Sequence, residues 1–207
     1  MYLDLSFPIK GGHVPADHSY LLYAALSHIV RDFHDGHTGV RFSPVTGTKG
    51  ERGLLDVQPW SRLRVRLPAD RITAALSLSG QNIQLGKTHA IQLGTPTIAA
   101  LVPAPTLGAK VVTFKHSTEP DQFLRQARVR LDELGIAGEP SVPLVEEGPH
   151  AGEPRRRIVR IKNQSIVGFA LLVTGLSAEE SLRLQEEGLG GRCRIGCGFF
   201  LPVRPRA

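Results

Sequence analysis

The order of strand-like and helix-like segments limits the possible folds of this chain of 207 residues more than any other feature. Alternating apolar positions predict strands, and apolar positions three or four residues apart predict helices. In the first half of the chain the strands lie at 3–9, 40–45, 62–67 and within 89–101, the helices at 17–34 and 70–78, and a polar linker at 46–61. The resulting order, β-α-β-β-α-β, is that of a ferredoxin-like domain.

The same order begins again after Pro103-Ala104-Pro105, a stiff segment that separates the two halves. The second set of strands is predicted at 109–114, 141–144, 155–161, 165–174 and 199–203, and the helices at 119–134 and 177–187. Ser177 and Glu180 form a capping-box pattern at the start of the last helix. We therefore expect an α+β protein with two tandem ferredoxin-like (βαββαβ) domains, over residues 1–102 and 106–207.

The composition is typical of a globular protein from a reducing compartment. Hydrophobic residues make up 41% of the chain, which excludes disordered and fibrous proteins. The sequence has neither an uninterrupted apolar run long enough for a membrane span nor a signal-peptide pattern, so we expect a cytoplasmic protein without membrane contact. Cys193 and Cys197 are the only cysteines, and without a second pair they favour reduced thiols over a disulfide or a zinc site.

Positive charge is concentrated near the C-terminus. Lys and Arg number 25 against 19 Asp and Glu, and the sequence pI is about 9.7. Residues 1–149 carry 15 basic and 14 acidic side chains, whereas residues 150–207 carry 10 and 5. Such a distribution is typical of a surface that binds a polyanion such as a nucleic acid.

A glycine-rich loop lies within this basic region. Glycine lets a ligand approach the main chain, so we predict that the N–H and guanidinium groups of the loop bind phosphates. The residues assigned to this role are Gly188, Gly190, Gly191, Arg192, Arg194, Gly196 and Gly198. The loop follows a helix and lacks Gly-Lys-Ser/Thr, so it is neither a dinucleotide fingerprint nor a Walker loop. The alternative is a glycine turn that only closes the second sheet.

The loop also carries a family resemblance. It fits the pattern Gly-h-Gly, five residues, Gly-h-Gly, in which h is apolar or small. Together with the segments 15–30 (PADHSYLLYAALSHIV), 166–177 (IVGFALLVTGLS) and 175–202, it resembles the CRISPR-associated endoribonucleases of the Cas-six family, Myxan subtype. The resemblance implies two ferredoxin-like domains of the RRM/RAMP-like type that bind the hairpin repeat of a CRISPR transcript and cut it once, at the 3′ base of the stem. It also implies that no metal or other cofactor is needed, and that the product often stays bound within an interference complex with other effector subunits.

Cutting RNA without a metal requires groups that move two protons. The 2′-hydroxyl attacks the adjacent phosphorus and gives a 2′,3′-cyclic phosphate and a 5′-hydroxyl, while one proton leaves O2′ and another reaches the leaving oxygen. Histidine suits both transfers, and five of the eight histidines lie between residues 13 and 37. On a helix, Tyr23 and His34 lie within about 20° of each other. We predict His34 as the principal acid–base group and His18, at the start of the helix, as the second, followed by Tyr23 or His28.

Further cations are candidates for contact with RNA. Lys49, in a flexible turn, is a candidate to stabilise the phosphorane, and a basic strand and turn are candidates to bind the phosphates of a stem. That basic segment contains Arg155, Arg156, Arg157, Arg160 and Lys162. The alternatives are a solvated loop and a solvated sheet face. Aromatic residues make up only 6% of the chain, so we expect recognition of a stem mainly through shape and phosphate, with base stacking as a minor contribution.

Two other functions fit the same residues. One is an RNA-binding subunit of a CRISPR effector or CRISPR-associated transposon complex that grips the hairpin without cutting it. The other is a metalloenzyme that uses His34, His37 and a carboxylate such as Asp32 or Asp35, although this spacing is poor for one helical face and no HExxH motif is present.

Overall fold

The chain forms two compact units. The computed structural model describes residues 1–35 and 38–203. The first unit contains residues 1–100 together with 194–196, and the second contains the remainder. Every helix in the described part of the chain falls short of the length or the hydropathy that a bilayer crossing requires.

The first unit is built around an antiparallel sheet. Its strands are β1 (Tyr2–Lys10), β2 (His13–Pro15), β3 (Arg41–Phe42), β4 (Thr48–Lys49), β5 (Leu54–Asp56), β6 (Arg62–Pro68), β7 (Asn82–Leu85), β8 (His89–Leu93) and β9 (Thr97–Ala100). Its helices are α1 (Ser19–Ile29) and α2 (Ile72–Leu76). The main sheet has the order β3-β6-β1-β8-β7, and β9 also pairs with β1. This arrangement places β1 and β6 at the centre, as a ferredoxin-like domain requires.

The alternating residues of the central strands supply the core of this unit. Leu5 pairs with Val65 and Phe7 pairs with Leu63, and all four side chains are fully buried. On the opposite face Arg66 forms a bidentate ion pair with Asp4, at 2.7 and 2.8 Å. The period-2 pattern that predicted these strands therefore reflects one buried apolar face.

The first helix is shorter than predicted. It ends at Ile29 because Val30 is extended, with φ −122° and ψ 107°, and a separate 3₁₀ turn follows at Arg31–Phe33. Phe33 is buried by this turn against Phe42, with ring centroids 6.0 Å apart. A 3₁₀ turn satisfies a three-residue apolar spacing as well as an α-helix does, so the sequence pattern did not reveal the break.

Other elements of the first unit also differ from prediction. The linker 46–61 contains β4 and β5, which form a three-stranded sheet with β2. The strand predicted over 40–45 is limited to β3, and the fourth strand is divided into β8 and β9, with β7 paired to β8. Helix α2 is short and follows a 3₁₀ turn at Ala69–Arg71.

The second unit follows the βαββαβ order with one additional strand. Its strands are β10 (Thr106–Val112), β11 (Glu139–Ser141), β12 (Arg156–Ile161), β13 (Gln164–Thr174) and β14 (Phe200–Pro202), and its helices are α3 (Pro120–Glu133) and α4 (Ala178–Glu187). The sheet order is β11-β13-β10-β14, with β12 also paired to β13. Its core includes Phe123 of α3 packed against Phe169 of β13, with ring centroids 5.0 Å apart. The prediction of two tandem ferredoxin-like folds is confirmed.

The predicted capping box of α4 is present. The Ser177 hydroxyl accepts from the Glu180 N–H at 3.2 Å, and the Glu180 carboxylate accepts from the Ser177 N–H at 2.8 Å and from the Ala137 N–H at 2.6 Å. These hydrogen bonds, first that from the Ser177 main chain, lower the pKa of Glu180 below its usual value. The cap ties the start of α4 to the loop after α3 and so positions the glycine-rich segment that follows α4.

Candidate active site

Tyr23 and His34 are in direct contact. The Tyr23 hydroxyl lies 3.2 Å from Nδ1 of His34, and the two rings are stacked with centroids 6.5 Å apart and planes inclined by 22°. Eleven residues of continuous helix would separate them by about 16 Å, so the contact depends on the end of α1 at Ile29. His34 is exposed, whereas Tyr23 is half-buried. The pair therefore presents an imidazole, backed by a phenol, to solvent.

Arg194 adds a cation to this pair. Its Nη1 donates to the main-chain oxygen of His34 at 2.9 Å, and residues 194–196 belong to the same compact unit as Tyr23 and His34. Arg194 was predicted to bind phosphate and His34 to act as the acid–base group, and their contact was not predicted. No local pattern links residues that are 160 positions apart in the chain.

The turn that carries His34 is tied to the rest of the first unit. The Thr38 hydroxyl donates to the main-chain oxygens of Asp32 and Asp35, at 2.7 and 2.9 Å. The carboxylate of Asp32 lies 3.5 Å from the guanidinium of Arg71. These contacts hold both ends of the turn, which limits the positions that the imidazole can adopt.

His18 has a structural environment. Its side chain is only 2% exposed, and Nε2 accepts from the Val45 N–H at 2.8 Å, so the ring proton lies on Nδ1, which faces the Pro15 oxygen at 2.8 Å. Both ring nitrogens are therefore bound to the main chain. This geometry disagrees with the expectation that His18 is the second acid–base group, because such an imidazole has neither a lone pair nor a proton to offer a substrate. His28 is exposed, near the end of α1.

Three glycines of the glycine-rich loop use their main-chain N–H groups within the second unit. These groups donate to main-chain oxygens at 2.8–2.9 Å: Gly188 to Leu184, Gly191 to Thr113 and Gly198 to Val111. Gly188, Gly196 and Gly198 are buried. The amides of these glycines are already hydrogen-bonded or enclosed, which favours the alternative of a glycine turn that closes the second sheet.

Close packing explains why glycine is needed in the loop. A Cβ atom on Gly190, where φ is +85°, would lie 2.7 Å from the Thr113 oxygen. A Cβ atom on Gly198, where φ is +64°, would overlap the main chain of Leu189. The exposed part of the loop is Gly191, Arg192 and Arg194, and Arg192 itself has a positive φ of 62°. The side chains of the two arginines thus remain as the groups able to meet an anion.

The predicted basic hairpin is present as β12 and β13, joined by Lys162 and Asn163. Lys162 has a φ of +53°. Arg156, Ile158 and Arg160 are exposed at every second position of β12, whereas Val159 is buried. One face of the hairpin therefore presents cations to solvent.

The two other arginines of this segment are Arg155, which is half-buried, and Arg157, which is exposed like its neighbours on β12. Arg155 precedes β12, and its Nη2 lies 3.2 Å from the Leu144 oxygen and 3.7 Å from the Glu146 carboxylate. Desolvation by neighbouring groups, followed by the repulsion of Arg155, lowers the pKa of Arg157. Arg157 remains charged at neutral pH, so an anion bound beside it would relieve this repulsion.

Lys49 is exposed on β4, in the small sheet of the first unit. Among the described residues no group of three His, Cys, Asp or Glu side chains has a geometry suited to a metal ion. His37, which the metalloenzyme alternative requires, lies outside the described residues.

Comparison with known proteins gives consistent matches over the whole chain. A family model described as Cas6 Crispr matches residues 3–205. The CRISPR-associated endonuclease Cas6 of Myxococcus xanthus (strain DK1622) is 40% identical over 202 residues, which cover 98% of this chain and 82% of that protein. A solved structure of a CRISPR associated protein Cas6 has a TM-score of 0.63 at 13% identity and covers 99% of both chains. A Cas6-related protein from Pyrococcus furiosus has a TM-score of 0.62 at 13% identity, over 100% of this chain and 99% of that one. At such identities the solved structures are evidence of a shared fold alone.

Proposed function

The chain belongs to the Cas6 family of CRISPR-associated proteins, and from that premise we propose that it is a cytoplasmic endoribonuclease that cuts CRISPR repeat RNA at the 3′ base of the repeat hairpin. The relative from M. xanthus is named an endonuclease. The observation that carries the proposal is the contact of Tyr23, His34 and Arg194, which brings a phenol, an imidazole and a guanidinium together in one exposed place.

The proposed reaction needs no metal. O2′ of the RNA forms a bond to the adjacent phosphorus and loses its proton, the P–O5′ bond breaks, and O5′ gains a proton. The products are a 2′,3′-cyclic phosphate and a 5′-hydroxyl. His34 exchanges one of these protons through Nε2, and the Arg194 cation offsets negative charge on the phosphorane.

Tyr23 is proposed to keep the imidazole oriented in both of its protonation states. A phenol hydroxyl is both a donor and an acceptor. It donates to Nδ1 of the neutral ring and accepts from Nδ1–H of the protonated ring, so the contact at 3.2 Å persists while Nε2 gains or loses a proton. Tyr23 is thus a positioning residue for His34.

The exposed cations are proposed to bind the RNA. Arg156, Arg160 and Lys162 on the hairpin β12–β13 and Arg192 in the glycine-rich loop are exposed, and each phosphate that they neutralise releases counterions. We further propose that the cut hairpin stays bound and that the protein joins other effector subunits through it.

The test is cleavage of the repeat RNA in EDTA. We expect cutting at a single bond with a 2′,3′-cyclic phosphate on the upstream product. A matched RNA with one 2′-deoxy nucleotide at that bond should bind with unchanged affinity and remain uncut, because the nucleophile is absent. Loss of cutting in EDTA, or cutting of the deoxy RNA, would contradict the proposed chemistry. Tight binding without any cutting, with or without Mg²⁺, would indicate a non-catalytic RNA-binding subunit.

A further inference from the structure

The only tryptophan of the chain is exposed. Trp60 lies between β5 and β6 and has 54% of its surface in contact with solvent. Tryptophan is on average highly buried, because its indole is the largest side chain. No part of the function proposed above uses this residue. An indole held in water on a structured turn is an observation that requires an explanation.

The turn that carries Trp60 is closely held. The Ser61 N–H donates to the Gln58 oxygen and the Gln58 N–H donates to the Ser61 hydroxyl, both at 2.8 Å. Nη1 of Arg62 donates to the oxygens of Pro59 and Ser61, at 3.0 and 2.8 Å. Ser61 is fully buried, and proline at the second position of a turn presets its φ. The turn is therefore ordered by its main chain and its neighbours, while 54% of the Trp60 surface stays exposed.

The surroundings of the turn are polar and carry a cation. Nε2 of Gln58 donates to the Thr48 hydroxyl at 2.9 Å, which joins the turn to β4. The next residue of β4 is Lys49, which is exposed. The turn with the exposed indole is thus hydrogen-bonded to the strand that carries Lys49. This combination matches a nucleotide, which has a planar base and an adjoining phosphate.

We propose that Trp60 stacks on an unpaired nucleobase of the bound RNA, with Lys49 on a neighbouring phosphate. The inference rests on the proposed RNA-binding function and adds a site for the single-stranded part of the repeat. An ordered turn lowers the entropic cost of stacking, and a π-face accepts any base, so the site favours unpaired RNA over a particular sequence. It also gives a larger role to base stacking, which the low aromatic content had suggested is minor.

The emission of Trp60 tests this proposal directly, because the chain has no other tryptophan. The probes are the full repeat RNA with its single-stranded flanks and the same hairpin trimmed of those flanks. We expect quenching of the emission by the flanked RNA and much less by the trimmed hairpin. Trp60→Ala should weaken binding of the flanked RNA about 10-fold and Trp60→Phe should restore most of it, with no effect of either change on the trimmed hairpin.

Ile98→Ala is the matched control, since Ile98 is an apolar residue of the same unit with 49% exposure. It should leave both affinities unchanged. Fluorescence anisotropy of labelled RNA measures RNA binding independently of Trp60 emission. It therefore distinguishes a failure of the proposed RNA-binding function from a failure of the stacking site alone. If wild-type protein binds no RNA, the proposed function fails and this inference with it. If RNA binds while the emission stays constant and Trp60→Ala binds as tightly as wild type, the stacking site alone is refuted, and a protein partner becomes the better explanation of the exposed indole.

Discussion

At the level of single residues, two histidines near the same helix have opposite environments. His34 is exposed and bound to a phenol through one ring nitrogen, whereas His18 is buried and bound to the main chain through both. A histidine that is useful for proton transfer needs one nitrogen accessible to substrate. The environment, and not the position relative to the helix, therefore separates the catalytic candidate from the structural residue.

His18→Ala is expected to reduce stability and not the chemical step. The change leaves the Val45 N–H and the Pro15 oxygen unpaired in a buried place, which costs about 1–3 kcal/mol of the free energy of unfolding. Denaturant unfolding measures this loss, with His28→Ala as an exposed control that should change stability by less than about 0.5 kcal/mol. A His18→Ala protein of normal stability that has lost RNA cleavage would return His18 to the catalytic candidates.

At the level of elements, the glycine-rich loop shows how one sequence pattern fits two physical explanations. Positive φ values and exposed amides suit phosphate binding, but positive φ values also suit close packing of main chain on main chain. In this loop the amides of Gly188, Gly191 and Gly198 are used inside the protein. These hydrogen bonds favour close packing as the reason for the glycines, while Arg192 and Arg194 are the exposed charged residues of the loop.

Gly190→Ala is expected to destabilise the protein, whereas Gly191→Ala is not. The new Cβ at residue 190 would lie 2.7 Å from the Thr113 oxygen at a φ of +85°, while at residue 191 the nearest atoms are 3.6 Å away. We expect a loss of about 1–3 kcal/mol for Gly190→Ala, measured by denaturant unfolding. Equal stability of the two variants, combined with weaker RNA binding by Gly190→Ala alone, would favour the phosphate-binding explanation instead.

The elements that the sequence predicted best are those with one strong period. Leu63, Val65 and Leu67 alternate along β6, and the Ser177–Glu180 pattern marked the start of α4, so both were predicted to within a residue. The end of α1 was missed because Phe33 continues the three- and four-residue apolar spacing of the helix, although it lies in the 3₁₀ turn that follows the break at Val30. The short strands β4 and β5 were missed because pairing in a small sheet, and not hydrophobic alternation, stabilises them.

At the level of the whole molecule, the repeated element order predicted both ferredoxin-like folds, yet the candidate site could be predicted only in part. Tyr23 and His34 were linked by a helical angle, although their actual contact requires that the helix end between them. Arg194 reaches His34 from the other end of the sequence, through a segment that belongs to the first unit. Contacts of this kind follow from the folded chain and leave no trace in local spacing.

We propose that binding of RNA and cutting of RNA depend on different residues. In this proposal the exposed cations of the hairpin β12–β13 and of the glycine-rich loop bind phosphates, while His34 moves a proton. Loss of the imidazole should therefore slow the chemical step without weakening the complex.

The most direct test of this claim is the single-turnover rate of repeat RNA cleavage by His34→Ala, measured together with the dissociation constant for uncut RNA. His28→Ala, which removes an exposed histidine of α1, is the matched control. We predict that His34→Ala cuts at least about 100-fold more slowly with nearly unchanged affinity, and that His28→Ala behaves as wild type. A His34→Ala protein that cuts at the wild-type rate would contradict the account.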